Sequence, residues 1–167
     1  MTVHAQETSI QDLERVWLDE VITLATNSVH NGGGPFGALI AKDGEVVAYG
    51  NNQVTANLDP TAHAEVSAMR AACQKLDTFS LEGCTLITSC EPCPMCLSSA
   101  LWARVDRIVF CADRHDAAVG GFDDRKFYDL FAKQPASMWP VEVQQLDLPN
   151  RTAPFDAWLA KSDRVDY

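Results

Sequence analysis

Two short stretches hold the side chains best suited to chemistry: His63-Ala64-Glu65 and, about thirty residues on, Pro92-Cys93-Pro94-Met95-Cys96. Together they supply an imidazole, two thiols and a carboxylate. Zinc takes nitrogen and sulfur ligands of this kind, and in catalytic sites three protein ligands leave a fourth position for water. Two thiolates and a neutral imidazole would leave such a centre close to neutral, and zinc lowers the pKa of bound water to about 7. Glu65 stands beside a ligand with no structural use of its own, which suits a group that carries protons for that water. Two other uses of the cysteines compete. Cys90, Cys93 and Cys96 resemble part of an iron–sulfur ligand set, but that pattern needs a fourth Cys followed by Pro, and residues 97–103 contain none. A closed structural zinc with Cys90 as fourth ligand is the other. Such sites staple domains too small to hold a core, and a chain of 167 residues is not one of them.

The positioning elements follow from periodicity. Leu13, Val16, Trp17, Val21, Leu24, Ala25 and Ser28 recur at helical steps and predict an amphipathic helix over about 12–30. Asn31-Gly32-Gly33-Gly34-Pro35 ends it. That glycine run lacks the Gly-Lys-Ser/Thr of a phosphate loop and follows a helix rather than a strand. Residues 36–41 and 45–50 read as strands joined by the tight turn Asp43-Gly44. A helix over about 62–76, capped by Asp59 or Thr61, carries His63 and Glu65 at its start. Two residues apart, they point about 200° from each other on a regular helix, so they can serve one metal only if it lies beyond the helix N-terminus. A strand over 84–89 leads to a helix over 95–103. Cys93 and Cys96, three apart, share a face at that second N-terminus, where the dipole favours thiolate. A strand over 105–112, a short helix over 126–133, a last strand over 141–146 and a helix over 154–161 complete the chain. Alternating strands and helices imply a three-layer α/β/α sandwich with a mixed five-stranded sheet. Residues 1–167 read as a single domain, with about 150–167 as a C-terminal tail.

With 13 Lys plus Arg against 23 Asp plus Glu, the net charge is −10. A polyanion-binding protein needs a basic face, so the balance favours a small neutral substrate over nucleic acid. No apolar run is long enough to span a bilayer, and no signal peptide is evident, so a cytoplasmic location is expected. In a reducing compartment, close cysteine spacing points to metal rather than disulfides. Cys73, Cys84 and Cys111 lie in apolar runs and are expected to be buried.

From Gly33-Gly34-Pro35-Phe36-Gly37-Ala38, through Asp59-Pro60-Thr61-Ala62-His63-Ala64-Glu65, to Thr88-Ser89-Cys90-Glu91-Pro92-Cys93-Pro94-Met95-Cys96, the chain resembles the cytidine deaminase superfamily. Within it the resemblance is to the short bacterial guanine deaminases, and extends to Leu101-Trp102-Ala103-Arg104, Gly121-Phe122-Asp123-Asp124 and the terminal Tyr167. The resemblance implies hydrolysis of guanine to xanthine and ammonia, with zinc-bound hydroxide attacking C2. His63, Cys93 and Cys96 would hold one zinc per subunit, and Glu65 would shuttle the proton. Asp124 would help ammonia leave, Asn52 would bond the purine carbonyl, Phe36 would stack, and the Ala64 backbone would lie beside the base. Trp102 would narrow the space next to the base and disfavour a ribose. A homodimer is implied, with the C-terminal segment swapped between subunits and Tyr167 closing over the substrate. Guanosine deamination, tRNA adenosine deamination, another nucleobase deaminase and a zinc-stabilised binding module without turnover remain as alternatives.

If the tail is a lid, removing residues 163–167 weakens substrate binding far more than it lowers the melting temperature. Unchanged kinetics in the truncated protein would refute the lid.

Overall fold

The computed structural model describes residues 9–135 and 138–165, so Tyr167 lies outside the described residues. The chain divides into two compact units, Met1–Arg125 and Lys126–Tyr167.

The first unit is built on helix α1 (Ile10–His30), strands β1 (Gly37–Lys42), β2 (Glu45–Asn51), β3 (Cys84–Cys90) and β4 (Arg107–Ala112), and helices α3 (Ala64–Leu76) and α4 (Pro94–Trp102). Ser9 starts α1 by accepting the Asp12 N–H at 3.2 Å and donating its hydroxyl to the Asp12 carboxylate at 2.7 Å, so local bonds satisfy the first turn. Trp17, Val21 and Ala25, each four residues apart, form the buried stripe of α1. The turn joining β1 to β2 holds Asp43 at φ 52° and Gly44 at φ 82°. Successive positive φ values give a turn whose twist matches that of the paired strands.

The sheet runs in the order β2-β1-β3-β4. β1 is antiparallel to both β2 and β3, while β3 and β4 are parallel and joined through α4. The expected mixed sheet is therefore present. Period-two alternation sends its side chains to two cores. Leu39, Ala41 and Ile87 pack with Trp17 and Val21 of α1. Ala38, Ile40 and Leu86 pack with Ala64, Ala68, Met69 and Ala72 of α3 and with Cys96 and Ala100 of α4. Fully burying a Leu or Ile side chain stabilises by about 1.5–3 kcal/mol, so these layers hold both helices firmly to the sheet. The fit is close. A Cβ on Gly37 would lie 2.5 Å from the Val21 carbonyl of α1, and one on Gly50 would lie 2.3 Å from the Ala64 carbonyl of α3. Gly37 thus serves the packing of α1 against the sheet. At the sheet edge, Arg107 of β4 reaches the buried Glu14 of α1 with two hydrogen bonds, at 2.7 and 3.2 Å.

Several expectations need correction. The sheet has four strands, because residues 141–146 form no strand. Val141, Val143 and Leu146 are exposed there, and a strand with no neighbour to pair with is not stable. Cys84 is buried as expected, but Cys73 is half-buried and Cys111 is exposed on β4. Helix α3 begins at Ala64, with His63 as its cap. Asp59 instead accepts from the Thr61 amide and hydroxyl, at 2.8 and 2.7 Å, in the preceding turn. A short helix, α2 (Val54–Asn57), occupies part of the expected loop. All six cysteines are free. Among the described residues, no helix is long and apolar enough to cross a membrane.

After α5 (Arg114–Val119), α6 (Arg125–Lys133) leads into the second unit, which also holds α7 (Ala153–Ala160). Phe131 meets Trp139 edge to face at 5.2 Å, and Lys133 pairs with Asp129 at 2.7 Å. None of its described residues is buried.

Candidate active site

Helices α3 and α4 start with their caps turned to another use. His63 (φ −67°, ψ 159°) and Cys93 (φ −63°, ψ 166°) occupy the N-cap positions, and neither side chain makes a capping hydrogen bond. A cap side chain ordinarily accepts an amide of the first turn. Here His63 Nδ1 lies 3.6 Å from Cys93 Sγ and 3.5 Å from Cys96 Sγ, and the two sulfurs are 3.6 Å apart. Tetrahedral zinc with bonds of about 2.3 Å to sulfur and about 2.0 Å to nitrogen sets S–S near ~3.7 Å and S–N near ~3.5 Å. The triangle therefore fits the metal.

Its electrostatics agree. Interaction with Cys96, then with His63, pushes the Cys93 thiol down to about 4, so one sulfur is poised to ligate as thiolate. Cys96 is pushed up by the neighbouring Cys93 and by burial. Contact with Cys93 raises His63. A metal held by these three ligands would lie beyond the start of α3, and Glu65 lines the same cavity from the first turn. That carboxyl is buried, which pushes its pKa up to about 7. A carboxyl with that proton affinity exchanges its proton near neutrality. Cys90 stands apart. Its sulfur lies 3.7 Å from the Asp113 carbonyl, burial pushes it up to about 11, and it does not join the ligand triangle.

The ligands open on a cavity of about 520 Å³. Phe36, Asn52, His63, Glu65, Cys93 and Asp124 all line it, so the chain brings together six of the residues singled out from sequence. Asn52 Oδ1 accepts the Val54 amide at 3.2 Å, which leaves its NH2 as the donor available to a ligand. Asp124 carries a buried oxygen, Oδ1, with no hydrogen-bond partner among the described residues. Burial, then the charge of Cys93, raises its pKa. An unpaired buried polar atom is costly, and a bound ligand or water would relieve that cost. Ala64 is fully buried between two lining residues and is not itself in the wall. Trp102 ends α4 at 69% exposed and also lies outside the wall, so it does not narrow this cavity.

Sequence reasoning gave no role to Phe122 or Glu91, both of which line the wall. Phe122 meets Phe36 edge to face, with ring centres 5.0 Å apart. Both rings also line a second, mostly apolar cavity of about 570 Å³ bordered by α1, β4 and α5. Glu91 also lines the first cavity, and the Arg114 guanidinium holds its carboxyl below the usual range. Its place between Cys90 and Cys93 was the available signal.

Residues 11–112 match the cytidine and deoxycytidylate deaminase zinc-binding region. The chain belongs to this deaminase family. Three relatives bear on its place there. It is 45% identical over 152 residues to guanine deaminase of Bacillus subtilis (strain 168), covering 90% of this chain and 97% of that protein. The crystal structure of guanine deaminase from Bacillus subtilis superposes with a TM-score of 0.88 at 44% identity, over 92% of this chain and 98% of the other. A guanine deaminase from Nitrosomonas europaea gives a TM-score of 0.63 at 28% identity, over 74% and 79%. The tRNA-specific adenosine deaminase of Aquifex aeolicus (strain VF5) is 39% identical over 101 residues, covering 59% of this chain and 67% of that protein. The zinc-dependent deaminase fold expected from the ligand motif is thus present.

Elemental analysis of purified protein is expected to show about one zinc per chain, falling towards zero in Cys93→Ala. Glu65→Ala keeps the zinc and the melting temperature but loses roughly 10²–10⁴-fold in turnover. Full zinc in the first variant, or full activity in the second, would show the roles to be misassigned.

Proposed function

We propose that this deaminase converts guanine and water to xanthine and ammonia. The observation that carries the proposal is its likeness to the Bacillus subtilis guanine deaminase along nearly the whole of that protein. The cavity supports it from the chemical side. His63, Cys93 and Cys96 would hold the zinc, which would supply the Lewis acidity that brings the pKa of a water to about 7. Glu65 takes a proton from that water and delivers it to the purine ring nitrogen beside C2. Oxygen bonds to C2, the remaining proton of that water passes from the new C2 hydroxyl through the carboxyl groups to the amino nitrogen, the bond from C2 to that nitrogen breaks, and ammonia leaves a carbonyl at C2. Asp124, with its unpartnered oxygen in the wall, is the group that assists this departure. The Asn52 NH2 donates to the purine carbonyl, and Phe36, braced by Phe122, offers a ring face to the base.

Charge favours a free base over a nucleotide or tRNA. Glu65, Glu91, Asp123 and Asp124 all line the cavity, and like charge disfavours a phosphate there. With Trp102 outside the wall, it supplies no barrier to a ribose, so the preference for the base rests on the relatives. Zinc ligation by thiols suits the reducing cytoplasm, where we place the protein. Ammonia release from guanine, guanosine, adenine, cytosine and cytidine tests the substrate. We expect guanine to give the highest kcat/KM, and faster turnover of guanosine or adenine would overturn the proposal.

We also propose a homodimer in which the C-terminal segment is exchanged. Support comes from the second unit, whose Phe131, Phe155 and Leu159 are 62%, 69% and 65% exposed, more apolar surface than a small helical unit normally leaves to water. Light scattering should give the mass of two chains, and the mass of one chain would refute the dimer.

A further inference from the structure

Glu91 and Arg114 form an ion pair at the cavity wall closed by three hydrogen bonds. The Arg114 backbone N–H and Nε donate to Glu91 Oε2 at 3.0 and 2.9 Å, and a second guanidinium nitrogen donates to Oε1. Both side chains are largely withdrawn from solvent. Glu91 sits on the loop that ends β3, two residues before the ligand Cys93, and its own N–H donates to the Ala112 carbonyl at 2.8 Å. Arg114 opens α5, whose Asp113 and Asp116 close a capping box. Eight and ten residues after Arg114, and past Gly121 at φ 93°, the chain delivers Phe122 and Asp124 to the cavity wall.

No residue of α5 is buried. No fully buried apolar side chain therefore anchors this helix, whose Ala117 and Ala118 are half-buried. Its ties to the ligand-bearing loop include the Glu91–Arg114 pair and the longer contact of the Cys90 thiol with the Asp113 carbonyl, while Phe122 rests on Phe36. A forked guanidinium–carboxylate pair fixes direction as well as distance. We infer that Glu91 and Arg114 are positioning residues, a clamp that holds α5 to the zinc-ligand loop and so sets where Asp124 stands relative to the metal. The clamp acts through Asp124, although Glu91 also stands in the cavity wall. It rests on the reading of Asp124 as the carboxyl that assists ammonia departure.

The test is a double-mutant cycle on the full-length, zinc-loaded protein, with guanine as substrate and Arg114→Met, Asp124→Asn and their combination as variants. Misplacing a reacting group by about 1 Å costs up to ~10²-fold, so Arg114→Met is expected to lower kcat about ten- to hundredfold. Zinc content is expected to be unchanged, and KM to move less than about threefold. In the Asp124→Asn background the same substitution costs less than about twofold more, because the group it positions is already disabled. Arg114→Lys, which keeps one charged donor, recovers part of kcat. If Arg114→Met folds poorly, the cycle is run with Glu91→Gln under the same criteria. Equal losses in both backgrounds, no loss of kcat, or loss of zinc would overturn the clamp. If Asp124→Asn keeps wild-type kcat, the role of Asp124 is wrong and the clamp falls with it. A slow Asp124→Asn with an additive cycle removes the clamp alone.

Discussion

The site depends on one arrangement, two helix N-termini aimed at the same point. His63 and Cys93 hold the cap positions of α3 and α4 but give up the capping bonds those positions usually supply. Each forgone bond costs about 0.5–2 kcal/mol, which metal ligation more than offsets. In return, the partial positive charge of two helix starts faces a centre rich in thiolate and carboxylate. The spacing of the ligands then becomes a packing property. Ala64, Ala68 and Ala72 hold α3 to the sheet, and Cys96 and Ala100 bring α4 into the same core. Gly50 lets α3 approach more closely than any side chain would allow.

This arrangement sets buried carboxyl groups against stability. Glu65 and Asp124 both have proton affinities raised by burial, and an ionised carboxylate in such surroundings is costly unless paired. A chain selected only for stability would place apolar groups there. Their retention beside a metal triangle is the kind of local rule-breaking that marks function. By contrast, Arg107 and Glu14, also charged and partly buried, complete their hydrogen bonds across the edge of the sheet.

Much of this was legible in the sequence because the ligand motif and the helical and strand periodicities are local. The requirement that the metal lie beyond the start of α3 followed from the two-residue spacing of His63 and Glu65 alone. Readings that needed three-dimensional context went astray. Residues 141–146 alternate like a strand, yet pairing requires a neighbour the pattern cannot name. Cys111 sits in an apolar run but on an edge strand, where one face meets solvent. Trp102 carries a pocket-sized ring at the exposed end of α4. Phe122 and Glu91 received no role because their partners, Phe36 and Arg114, lie 86 and 23 positions away.

The Phe36–Phe122 contact also separates two evolutionary variables. Both rings stand in the walls of two chambers, which share Phe36, Cys90, Ala117 and Phe122. A smaller residue at 122 would merge the chambers and admit bulkier heterocycles. It would leave the triangle of His63, Cys93 and Cys96 untouched. Descendants of this scaffold can therefore change the size of molecule they accept without rebuilding the reaction centre.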